Sequence, residues 1–155
     1  MAILYGCDIP EDYYFDLERD LWVRFEGDLA VLGMTDLAQT RGGKLVNLVF
    51  KKLGKVIAQG KSAATIESAK WVGPFPMPFS GELVAVNQAT FSADILAANK
   101  DPYGAGWLVK VRPVNLAAER GHLLTGADAV AAYRAKIEAL GVHCYRCIEA
   151  PDELE

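Results

Sequence analysis

The sequence predicts a mainly β fold of the α+β class: a sandwich or flattened barrel of two similar β units, with short flanking helices and a helix near the C-terminus. Three observations carry this. Apolar and β-branched runs of strand length alternate with turns marked by glycine, proline and aspartate. From Gly43 the chain then repeats itself. Gly43-Lys44-Leu45-Val46-Asn47-Leu48 resembles Gly81-Glu82-Leu83-Val84-Ala85-Val86, and Ile57-Ala58-Gln59-Gly60-Lys61 resembles Leu96-Ala97-Ala98-Asn99-Lys100, with the register held to within one residue. Two copies are too few for a solenoid, so each supplies one face of a shared core. Finally, helical periodicity is clear only after Thr125.

Residues 1–20 read as an irregular arm, acids set among Tyr5, Tyr13, Tyr14 and Phe15, pinned to the body by the aromatic rings. Leu21 to Glu26 and Leu29 to Leu32 flank Glu26-Gly27-Asp28, whose glycine suits a hairpin turn. Thr35 caps a short helix over Asp36 to Thr40, and Arg41-Gly42-Gly43 stops it. Pro74, Pro76 and Pro78 cannot donate to a ladder, which places their run at a stiff sheet edge. A short helix is expected near Ala93 to Ala98, then a turn at Asp101-Pro102-Tyr103-Gly104. Thr125 opens the last helix with Asp128 in a capping-box position. Val130, Tyr133, Ile137 and Leu140 share one face, Arg134 and Glu138 pair on the other, and Gly141 ends it.

At 155 residues, 52% of them apolar and 23% charged, the chain has enough material for one cored domain without metal or disulfide staples. A net charge of −4 argues against binding nucleic acid, which requires phosphate neutralisation. No apolar run is long enough to span a bilayer, and the start lacks the basic-then-apolar order of a secretory signal. Three cysteines, an odd count, fit a reducing compartment better than a disulfide framework. The expected location is cytoplasmic.

The stretch from Thr65 to Gly81 is the candidate site. Two strands flank Glu67-Ser68-Ala69-Lys70, which puts Lys70 at or beside the tip of their connection, where another protein can reach its amine.

Taken together, the spacings resemble the H protein of the glycine cleavage system. The resemblance rests on Glu67-Ser68-Ala69-Lys70, Ser80-Gly81, Val86-Asn87, Asp101-Pro102-Tyr103-Gly104 with Gly106-Trp107, and Val31 to Gln39, and it covers Leu21 to Leu140. It implies a lipoyl-type β sandwich, with lipoic acid in amide linkage to Lys70 and no catalytic residue of the chain's own. Glu67, Ser68 and the flanking backbone would be read by lipoate-attaching enzymes, with Trp71 a further recognition residue beside the lysine. Two departures stand out: Asp20-Leu21 precede Trp22 where the family has His-Glu, and Trp71-Val72-Gly73-Pro74 follow the lysine where it has small residues. These, with Pro10 to Tyr14 and the tail, look more like the lipoate-binding proteins of heterodisulfide-reductase-like sulfur oxidation. The expected partners are therefore a heterodisulfide-reductase-like complex and a dihydrolipoamide dehydrogenase; for a glycine cleavage H protein they are the P, T and L proteins. The expected organisation is a carrier domain over 1–142 with its arm at 1–20, then a tail over 143–155.

Trp71 could shelter a dithiolane, meet a partner, or simply pack in the core. Cys144-Tyr145-Arg146-Cys147 could be a redox pair, half a zinc site completed by His143 or Cys7, or inert tail thiols. His122 reads as a surface residue near a helix start, and no metal site is expected. A biotin carrier, which usually sets methionines beside its lysine, and an unmodified binding module on the Pro-Phe-Pro-Met-Pro face are more distant readings.

Overall fold

The computed structural model describes residues 1–148, so the acidic end from Glu149 to Glu155 lies outside the described residues. The N-terminal segment is more regular than its sequence suggests. Strands β1 (Ala2–Leu4) and β2 (Cys7–Ile9) form a two-stranded ribbon, and β3 (Tyr14–Asp16) joins the main sheet. Three-residue strands are too short to show alternation, which is why the arm reads as irregular.

The hairpin β4 (Leu21–Glu26) and β5 (Leu29–Met34) turns at Gly27, whose φ of +61° suits glycine. Helix α1 (Asp36–Gly42) follows, with the Thr35 hydroxyl accepting from the Ala38 N–H as expected. Next come β6 (Leu45–Phe50), β7 (Val56–Ile57), β8 (Ser62–Ser68), β9 (Val72–Pro76) and β10 (Gly81–Val86). The single helix expected near Ala93 to Ala98 is two: α2 (Gln88–Ala93) and α3 (Ala97–Lys100). Asp94 separates them, its carboxylate accepting from the Leu96 N–H at 3.0 Å. The chain closes with β11 (Val109–Pro113), α4 (Leu116–Glu119), β12 (Leu124–Thr125) and α5 (Gly126–Leu140).

A seven-stranded antiparallel sheet, in the order β12-β3-β4-β5-β11-β10-β7, faces a three-stranded one, β6-β8-β9. The proline-bearing β9 is an edge strand, as its missing donors require. Leu21, Val23 and Leu32 on the large sheet pack with Leu48, Ile66 and Phe75 on the small one. The opposite face of the large sheet is also buried. There Phe15, Trp22 and Val31 pack against Tyr133 and Ile137 of α5, with Leu4 and Ile9 of the ribbon. This double burial explains the unbroken apolar run Leu21-Trp22-Val23, where a one-sided strand would alternate.

The repeat holds in its first half. β6 pairs with β8 and β10 with β11, both antiparallel, with a register shift at Leu45/Asn47 in one and at Leu83/Ala85 in the other, the same place in each copy. The second half does not hold. Ile57 closes β7 and Gly60 turns at φ +82°, whereas Ala97 to Lys100 is helical and Asn99 is buried. The last helix also departs from expectation. Thr125 does not cap it; its hydroxyl donates to the Tyr13 carbonyl at 2.7 Å. Ala129, Tyr133 and Ile137 form its buried face, Leu140 is 41% exposed, and Glu138 accepts from the Tyr5 hydroxyl. Among the described residues no helix is long and apolar enough to cross a membrane.

Candidate functional site

Strands β8 and β9 are in register up to Glu67 opposite Val72, and the four residues from Ser68 to Trp71 make the turn between them. The Ser68 N–H donates to the Trp71 carbonyl at 2.7 Å and closes that turn. Two further bonds fasten it to the junction of α1 and β6. The Ala69 N–H donates to the Lys44 carbonyl at 2.9 Å, and the Ser68 hydroxyl donates to the Gly42 carbonyl at 2.5 Å. That same hydroxyl accepts from the Lys70 N–H at 3.2 Å. Ser68 is thus almost wholly buried, at 7% exposure, and its groups are spent inside the turn.

Lys70 itself is exposed. Its stem lies across Gly43, where an added Cβ would stand 3.4 Å from the lysine Cδ and Cε. Gly43 also has φ +81°, a backbone conformation that favours glycine. Trp71 is 45% exposed, which removes core packing from its possible roles. Its indole folds over Gly73, and a side chain at that glycine would overlap the ring. Glu67 stands on the solvent side of β8, between Asn47 and Val72, also exposed.

Behind the tip lies a cleft of about 450 Å³ with Lys70 in its lining. Met34, Ile66 and Phe75 give it apolar walls, and Arg41, Arg19 and Asp20 add charge. Asp20 is held at φ +59°, its Oδ1 accepting from the Thr35 hydroxyl at 2.7 Å and the Tyr133 hydroxyl at 2.9 Å. Burial pushes the Asp20 carboxyl above the usual aspartate range, against the opposing pull of Lys136 and these hydrogen bonds. Burial likewise raises the Tyr133 phenol, and the neighbouring Asp20 charge adds to the shift. The sequence marks Asp20 only as a departure from a family pattern. Its place in the cleft depends on a positive φ and on a tyrosine more than a hundred residues away, neither of which leaves a local signal.

The cysteines do not behave as the Cys-x-x-Cys spacing suggests. Cys7 of β2 and Cys144 form a disulfide, while Cys147 is a separate, buried thiol. This corrects the inert-thiol reading for Cys144, though not for Cys147, and the inference that three cysteines disfavour a disulfide. The odd count is one bridge plus one thiol, closed between positions 137 residues apart, a separation that short-range spacing cannot reveal. Among the described residues, no group of three or more His, Cys, Asp and Glu could hold a metal ion. His122 is at the surface as expected, and its Nε2 lies 3.1 Å from the buried carboxylate of Asp16, which also pairs with Arg19.

Comparison with known proteins places this arrangement. The family described as glycine cleavage H-protein matches residues 13–136. Glycine cleavage system H protein 2 of Aquifex aeolicus is 41% identical over 140 residues, covering 90% of this chain and 86% of that one. A probable glycine cleavage system H protein 2 of Sulfolobus acidocaldarius is 42% identical over 149 residues, covering 94% and 99%. The crystal structure of the H protein from Mycobacterium marinum superposes with a TM-score of 0.69 at 31% identity, covering 86% of this chain and all of that one. Proteins of this kind are carriers bearing a lipoyl group on a lysine, without catalytic activity of their own. The chain belongs to the glycine cleavage H-protein family.

Proposed function

We propose that this chain is an H-type carrier of the glycine cleavage system, with its lipoyl group in amide linkage to Lys70. The supporting observation is Lys70 itself, exposed on a turn fastened at Ser68 and Ala69 and lying over a cleft with apolar walls. The residues present suit the group: an accessible primary amine for the amide, and Met34, Ile66 and Phe75 for an apolar chain. When attached, lipoate supplies a pair of sulfurs that cycle between disulfide and dithiol and carry the aminomethyl group of glycine cleavage. The chain's own residues only hold and present. Lys70 loses its charge on acylation, Ser68 keeps the turn closed, and Glu67 and Trp71 offer the surfaces an attaching enzyme reads. On this reading residues 1–142 are the carrier domain, the location is cytoplasmic, and the partners are the P, T and L proteins.

Sulfur oxidation with a heterodisulfide-reductase-like complex rests on Trp71 to Pro74 and Pro10 to Tyr14 alone, while every relative reported above carries the glycine cleavage name. Reconstitution with glycine cleavage proteins decides between the two. The lipoylated chain should support glycine-dependent carbon dioxide release, and Lys70→Ala should not. A Lys70→Ala chain that still gained the mass of a lipoyl group would refute the site, and a fully lipoylated wild type inert in that assay would refute the pathway.

A further inference from the structure

Residues 143–148 carry no regular secondary structure, yet they are tied down along their length. Cys144 is bonded to Cys7, and its N–H donates to the Tyr5 carbonyl at 2.9 Å. The Gln39 amide donates to the Tyr145 carbonyl at 2.6 Å, and Arg146 pairs with Asp8 at 2.7 Å and Asp36 at 3.1 Å. The Cys147 N–H donates to Gln39 Oε1 at 3.1 Å, and its Sγ rests 3.8 Å from the Thr40 carbonyl. Arg146 also donates to the Lys100 carbonyl at 2.9 Å, so the anchors belong to the N-terminal ribbon, α1 and the end of α3, and only one of them is covalent. Thr40 lies three residues before Gly43, over which the Lys70 stem lies. The thiol of Cys147 is therefore covered at the same end of α1 that seats Lys70.

We propose that this strap is a dithiol-operated latch: reduction of the Cys7–Cys144 bond frees residues 143–148 from α1 and uncovers Cys147 as a thiol at the foot of the Lys70 turn. Once the bond opens, the remaining ties are non-covalent: the Arg146–Asp8 pair is partly exposed and open to water, while the bonds to Asp36 and Gln39 are buried. Opening the bond also returns freedom to a segment otherwise tied across 137 residues. While latched, burial holds the Cys147 thiol above its ordinary range, partly offset by a Tyr145 hydrogen bond and by the Lys70 ammonium, which keeps it unreactive.

The fitting reductant is a dithiol of the class the family carries, a reduced lipoyl group from another copy or a partner; this choice alone rests on the carrier reading. One thiolate attacks a sulfur of the pair and forms a mixed disulfide, and the displaced cysteine takes up a proton. The second thiol then closes the dithiol into a cyclic disulfide and releases the other cysteine. Two electrons and two protons pass from the dithiol to Cys7 and Cys144, and Cys147 stays a thiol throughout.

The test uses the full wild-type chain and a Lys70→Ala chain, each treated with free dihydrolipoamide or with a phosphine reductant. Alkylation is mapped by peptide mass, and hydrogen exchange is followed over 143–148. In the oxidised protein Cys147 should resist alkylation. After either reductant all three cysteines should be labelled, with exchange in the strap faster by about tenfold or more. A Cys7→Ser/Cys144→Ser chain should label Cys147 rapidly with no reductant. Protection of Cys147 after Cys7 and Cys144 are labelled would overturn the latch, as would labelling before reduction or absence of the Cys7–Cys144 bridge from oxidised protein. Opening by phosphine but not by dihydrolipoamide would overturn the assignment of the reductant. The intact mass of the Lys70→Ala chain reports separately on the carrier reading.

Discussion

The β6–β8 pair and the β10–β11 pair have the same antiparallel pairing and bulge at the same place, but they meet different surroundings. β10 and β11 lie inside the seven-stranded sheet, between β7 and β5, and Leu83 is fully buried. β6 is a sheet edge, Val49 on it is 56% exposed, and β8 runs on to the turn that bears Lys70. One copy is frame and the other is platform. Similar strand patterns therefore do not set how a β unit is used. That depends on what is laid against each strand and on what closes its far end.

The largest contrast is between a core position of the frame and an exposed position of the platform. Leu83→Ala should cost about 2–5 kcal/mol, the range for a core leucine whose cavity cannot fully collapse. Val49→Ala should stay within about 0.5 kcal/mol, as surface changes do. Denaturant midpoints at unchanged slope would measure both, and equal losses would mean that the exposed side of β6 is not the free surface described. Ser68→Ala comes next. It removes the bond to the Gly42 carbonyl and the acceptor of the Lys70 N–H, for about 1 kcal/mol. Lipoate attachment should slow more than that small loss of stability explains, since the turn presenting Lys70 loosens. Attachment at the wild-type rate would show that the fastening is irrelevant.

The smallest effect concerns pH. Asp20 has its carboxyl raised by burial, so the folded chain holds that proton to a higher pH than the unfolded one. This contribution favours folding at low pH. It is lost as pH rises from the ordinary aspartate value of 3.8 through the raised folded value. Asp20→Asn keeps an acceptor for Thr35 and Tyr133, so its stability should decline less with pH across that window. Parallel curves for the two chains would place the titration elsewhere.

Much of the platform is legible in the sequence because it is local chemistry. The prolines mark β9 as an edge, Thr35 caps α1, Gly27 turns the β4–β5 hairpin, and Lys70 falls between two strand runs. What is not legible depends on distant partners. The three-residue strands of the ribbon acquire their structure from pairing and from burial beneath α5. Thr125 makes no side-chain cap bond, and its hydroxyl is turned to the Tyr13 carbonyl, far away in the sequence. Ser68 is a fitting recognition residue by composition, yet its hydroxyl is occupied by Gly42, twenty-six residues earlier. The Cys144–Cys147 spacing suggests a local pair, while the bond runs to Cys7.

The most direct test is fragmentation mass spectrometry of the wild-type chain purified from the cell that makes it. A lipoyl group carried on the Nζ of residue 70, and on no other lysine, is the predicted result. A chain with that amine bare in every copy, or with the group on another lysine, would contradict the account.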